Sequence, residues 1–148
     1  MKKSTKIIGL IALVLIIMQF FSIDKTNPPV SASSDFLAMN DAPAEITKLI
    51  QNGCYDCHGH TTQYPWYTNV APLSWWIGGH IKNARLKVNF SDWSSYDSDQ
   101  KRHNIEECIE VIEENRMPAK SFRLLHPEAR YSDNEKTAII TWLRSIKK

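Results

Sequence analysis

Hydrophobic positions fall into two unlike parts of this chain. From Ile7 to Ile23 they form one nearly unbroken run, in which 12 of 17 residues are Leu, Ile, Val or Phe. Beyond it they recur at three- and four-residue steps, the spacing of helices buried on one side. Ile46, Leu49 and Ile50 mark a first such helix, with Asp41 as its cap and Asn52-Gly53 as its stop. A polar, turn-rich stretch covers residues 59–72. Leu73, Trp76, Ile77, Ile81, Ala84 and Val88 then share one side of a second helix over 73–88, and His80 falls on that side. Gly78-Gly79 interrupts it, at about 1 kcal/mol each relative to Ala. Residues 91–99 read as loop. A third helix over 99–115 groups Ile105, Cys108, Ile109 and Ile112, and turns Glu106, Glu110, Glu113 and Glu114 largely away. Met117-Pro118 ends it, because proline disfavours helix in the residue before it. Residues 119–131 read as a connecting loop. Ser132 and Glu135 form a capping box for a last helix, which packs through Ala138, Ile139, Trp142, Leu143 and Ile146. No segment alternates as a strand, so the predicted fold class is all-α.

The N-terminal run follows Lys2, Lys3 and Lys6, with no acid beside them. As a helix it would be about 26 Å long, slightly short of a hydrocarbon core of about 30 Å. Residues 1–23 are therefore expected to be a single N-terminal transmembrane helix, a marginal one, with its lysines on the cytoplasmic side. A cleaved signal is the alternative, although its best site, Val30-Ser31-Ala32, lies late. Either reading exports the remainder, to the periplasmic face of the inner membrane or free into the periplasm. No cysteine follows the run directly, which excludes a lipoprotein anchor. Residues 24–40 read as a tether, stiffened by Pro28-Pro29 and loosened by serines. Residues 41–148 read as one domain.

Charge narrows the function. The net charge is +2, and from Asp24 onward 15 basic residues face 16 acidic ones, so a dedicated nucleic-acid binder is excluded. All five tryptophans lie after residue 60. They suit either a large flat group or a plain aromatic core. No Ser-His-Asp set, phosphate loop or pair of catalytic carboxylates stands out.

The densest chemistry is "GCYDCHGH", residues 53–60. Structural zinc needs four ligands, usually as two close pairs, and only one pair is here. A thioredoxin-like dithiol needs a βαβ context, which the pattern lacks. A plain Cys54–Cys57 disulfide suits an oxidising compartment and stays open. Covalent haem explains the spacing best. Two thiols add to the two vinyl groups, and the histidine directly after the second binds the iron. That assigns haem c to Cys54 and Cys57, with His58 as proximal iron ligand. Met117, a loop thioether ahead of Pro118, is the expected distal ligand, with His80 the alternative. His103 and His126 lie in polar surroundings and read as exposed. His60 is too close to His58 to reach the opposite face. Cys108 reads as a buried thiol.

The stretch from Cys54 to Trp93, with "EENRMP" and "HPEARYSDNEKTAIITWL", resembles the bacterial exported haem-binding domain family, of c-type cytochrome character. The resemblance covers about residues 28–147. It implies covalent haem at Cys54 and Cys57 and iron held by His58, with Met117 opposite. Members often read Met-Pro-Pro where this chain has Met117-Pro118-Ala119. The last helix also looks like the closing helix of class I cytochromes c. The expectation is a membrane-anchored monohaem cytochrome that passes single electrons to a redox partner protein. A peroxidase-linked haem enzyme or accessory domain, or a haem sensor with an open iron site, is the alternative.

Overall fold

The three- and four-residue steps become helices, and among the described residues there is no strand. The computed structural model describes residues 3–147; Lys2 of the basic lead and Lys148 lie outside it. Helix α1 spans Lys3–Met18, and its 16 residues bury nothing. At about 1.5 Å per residue it is about 24 Å long. No described helix is long and apolar enough to cross a membrane. That overturns the expected N-terminal transmembrane helix over 1–23, and with it the placement in the inner membrane with the domain facing the periplasm.

The physical reason lies at Gln19. Its amide donates to the Ala71 carbonyl at 3.0 Å and accepts from the Ala71 amide at 3.0 Å. Just beyond, the Trp75 indole donates to the Phe21 carbonyl at 2.6 Å. A longer span needs residues 19–23 in the helix, and the domain holds them elsewhere.

Residues 24–40, expected as a tether, also lie against the domain. The Asn27 amide donates to the Thr62 carbonyl at 2.9 Å, and the Trp93 amide to the Ser34 carbonyl at 2.7 Å. Asp35 caps α2, Phe36–Met39, by accepting from the Leu37 and Ala38 amides. Its other oxygen accepts from the Tyr55 hydroxyl at 2.9 Å. Phe36 is 1% exposed, so the core begins inside the expected linker. Its ring lies 4.9 Å from Phe90, 4.5 Å from Trp93 and 5.5 Å from Trp142.

Helix α3, Ala44–Ile50, buries Ile46, Leu49 and Ile50. Asn52-Gly53 does not stop it. The chain winds on through a π-helical turn, Gln51–Tyr55, into the single turn α4, Asp56–His58. Helix α5, Leu73–Lys87, runs unbroken through Gly78-Gly79. A Cβ on Gly78 would lie 3.1 Å from Ile23, so the N-terminal segment crosses α5 there. Helix α6, Ser98–Glu113, opens on an Asp97–Gln100 capping box and buries Ile105, Ile109 and Ile112. The expected loop after it contains a short helix, α7, Lys120–Leu125, and a 3-10 turn, Pro127–Ala129. Helix α8, Asp133–Ile146, opens on the expected Ser132–Glu135 box and packs on α3 and α6. Helix α4 packs against α5.

Candidate cofactor site

The Cys-x-x-Cys-His segment continues α3, so Cys54 sits one turn ahead of the adjacent pair Cys57 and His58 on one helical stretch. Gly53 permits that path. A Cβ there would lie 1.8 Å from the Tyr131 hydroxyl and 2.9 Å from Pro118. Tyr131 cannot retreat easily, because it is buried and its hydroxyl donates to the Leu49 carbonyl at 2.6 Å.

All three cysteines are free thiols. Burial pushes the Cys54 thiol up to about 12, opposed by the neighbouring Tyr131 hydroxyl. Burial and then Asp56 push Cys57 up to about 11, opposed by Arg85. Cys108 lies half-buried against the core and is likewise pushed up to about 12 by burial, which matches a quiet structural thiol.

His58 is half-buried, and burial holds it below the usual histidine value. Its Nδ1 lies 3.0 Å from the Val88 carbonyl, which can only accept, so Nδ1 carries the proton. The Nε2 lone pair is left for a metal, and the ring orientation is fixed from behind. Arg85 locks the loop after His58. It donates to the Gly59 carbonyl and the Thr62 hydroxyl, both at 2.9 Å.

A cleft of about 120 Å³ lies beside this segment. Cys57 and Asp56 line it from α4, Trp76 and His80 from α5, and Phe122 and His126 from α7 and the turn after it. His58, next to Cys57, and Cys54, one turn earlier, lie outside that lining. His80 has a bond pattern like that of His58. Its Nδ1 donates to the Trp76 carbonyl at 2.9 Å, so Nε2 is free. Met117 is 41% exposed, hangs from the end of α6 by its amide on the Val111 carbonyl, and does not line the cleft.

The other histidines divide. His60 accepts from the Asn89 amide through Nε2 at 2.8 Å, which engages it structurally. His103 is exposed on α6. His126, expected to be exposed, is only 12% exposed at its side chain and lies in the cleft wall. Its partners Tyr67 and Glu128 were not expected at a site, and no spacing in the sequence joins them. Trp93 is a core residue, whereas Trp75 and Trp76 are partly exposed.

The residues fit a haem. The cleft itself is small, so the fit rests on the chemistry of its lining. Its wall is largely apolar, one thiol opens into it, a second thiol is unlinked one turn away, and an imidazole with a free Nε2 adjoins both.

The comparisons agree with that fit. No solved structure matches the chain. An uncharacterized protein of Schizosaccharomyces pombe (strain 972 / ATCC 24843) is 30% identical over 67 residues, which is 36% of this chain. The match spans 11% of that relative's length. A family model described as a haem-binding domain matches residues 13–145. That match takes in nearly all of the helical domain, and the protein belongs to the haem-binding domain family.

Proposed function

We propose that the chain holds one haem covalently, as a c-type centre in a class I cytochrome-like helical domain, and passes single electrons between protein partners. The observation that carries the reading is the fixed trio on one helical stretch. Cys54 and Cys57 are unlinked thiols, and His58 is turned by the Val88 carbonyl so that Nε2 is free. That arrangement supports thioether bonds at Cys54 and Cys57 and an iron bond at His58. Haem supplies a one-electron iron couple when bound. The chain's own part is to hold the ligands, keep water from the apolar cleft, and leave an edge open to a partner. Leu125, which lines the cleft, is 57% exposed, and Trp66, between the lining residues Pro65 and Tyr67, is 77% exposed; both offer apolar contact to a partner.

For the position opposite His58, the sequence favours Met117. The cleft favours a second reading, His80, which lines it together with Cys57 and has a free Nε2. Two variants separate them. With Met117 as ligand, the oxidised protein shows a sulfur-to-iron charge-transfer band, and Met117→Ala abolishes it. With His80 as ligand the band is absent, and His80→Ala opens the iron to cyanide. Rapid binding of CO or cyanide by the unaltered protein contradicts both ligands and favours a haem enzyme or sensor.

A further inference from the structure

Helix α5 carries a second stripe besides the one that faces the cleft. Lys82, Arg85 and Leu86 follow Gly78 by four, seven and eight residues, so the four share one helix face. The chain after α1 crosses that face as a strap. A Cβ on Gly78 would lie 3.1 Å from Ile23, which brings the strap close at one end. At the other end the Asn27 amide donates to the Thr62 carbonyl at 2.9 Å. Between strap and stripe lies an open cavity of about 490 Å³. That volume is within the range of small-molecule sites, about 300–1,000 Å³.

The lining is of two kinds. Ile23 from the strap and Ile81 and Leu86 from α5 make it apolar, and Leu86 is 75% exposed. The charged members are Lys82, Arg85 and Asp24, two cations against one acid, a net of +1. On the far helices such charges cancel in pairs. Arg116 pairs with Glu110 and Glu114, Arg144 with Glu113, and Lys147 with Glu106. Around the cavity they do not cancel. Among the described residues, neither Lys82 nor Arg85 has a carboxylate partner. Asp24 instead accepts from the Thr26 amide in its own turn, at 2.8 Å. Arg85 spends Nε on Gly59 and one amino group on Thr62 and Asn27, which leaves its Nη1 donors without an acceptor among the described residues. Lys25 does not line the cavity. Its ammonium donates to Asn69 and stands 6.0 Å from the centre of the Tyr64 ring.

We propose that this cavity binds a small apolar monocarboxylate, with its carboxylate held by Lys82 and the free amino group of Arg85. The planar guanidinium suits a carboxylate, and the net of +1 is balanced by one negative charge rather than two. The apolar body covers Leu86 and lies between Ile23 and Ile81. Because Ile23 and Asp24 belong to the strap, a bound ligand ties the strap to α5. The proposal is independent of the haem reading.

The test titrates the full chain with naphthoate and follows its backbone amides by NMR. Signals of residues 23–26 and 78–86 should shift together, with a dissociation constant at or below about 1 mM, the scale for a ligand of this size. Lys82 is exposed, so Lys82→Gln should fold normally and weaken binding roughly fivefold. Asp24→Asn keeps an acceptor for the Thr26 amide, removes the one acid, and should tighten binding roughly threefold. The neutral naphthamide should bind more weakly than naphthoate. Shifts confined to α1, equal binding of naphthamide, or affinities unchanged in both variants would overturn the site.

Discussion

Gly53 shows how one missing side chain sets up the site. The Tyr131 hydroxyl occupies the space a Cβ would need, and that hydroxyl is tied to Leu49 one turn earlier. Gly53→Ala should therefore destabilise the fold by about 1–3 kcal/mol, the usual cost of overpacking. Urea unfolding would show it, and an unchanged midpoint would contradict the close approach. The thiols give a pH dependence. Their folded values of about 12 for Cys54 and about 11 for Cys57 stand above the ordinary 9.0. Between that value and 11 to 12, unfolded chains have released protons that folded chains keep. Stability of the haem-free protein should thus fall as pH rises above 9. Iodoacetamide should label Cys57 before Cys54 and Cys108, at a rate still climbing near pH 11. Peptide mapping that found Cys108 labelled first would contradict this order. At this scale the sequence exposed Cys54, Cys57 and His58, because their chemistry depends on local spacing. It did not expose His126, Tyr67 or Glu128, because a polar loop gives no sign of which side chains converge across 59 residues.

Among the elements, long helices were legible and short ones were not. Helices α5, α6 and α8 each repeat an apolar face over three turns or more, enough for the period to show. Helix α2 has four residues, and its signals were only the Asp35 cap and the adjacent Phe36-Leu37 pair. Helix α7 has six residues and buries none fully, so no period could form. Gly78-Gly79 looked like a break, but the crossing of Ile23 over Gly78 gives that glycine a packing role. Arg85 on α5 is the element-level clamp, joining the helix to the loop after His58 through Gly59 and Thr62. Arg85→Met keeps most of the aliphatic stem and removes these two bonds and a longer one to the Asn27 side-chain oxygen. It should cost about 1–3 kcal/mol, and should raise hydrogen exchange across residues 59–62. Exchange unchanged in that loop would show the clamp to be dispensable.

For the whole molecule, the N-terminal third behaved least as its hydropathy suggested. The apolar run counted as a span only if all of 7–23 stayed helical. Gln19 and Trp75 draw its last residues onto the domain, and α1 ends at Met18. A hydropathy count cannot see a partner 52 residues away. The all-helical class and the haem family were legible, because both rest on patterns written along the chain. The central claim is that the haem is bonded to the chain. The direct measurement is to attach haem in a host that matures Cys-x-x-Cys-His proteins, denature the product in acid and acetone, and weigh the protein that remains. The account predicts a chain heavier by one haem, dropping to the bare mass in the Cys54→Ala, Cys57→Ala double variant. Unaltered protein that gives up all its haem to the solvent would contradict it.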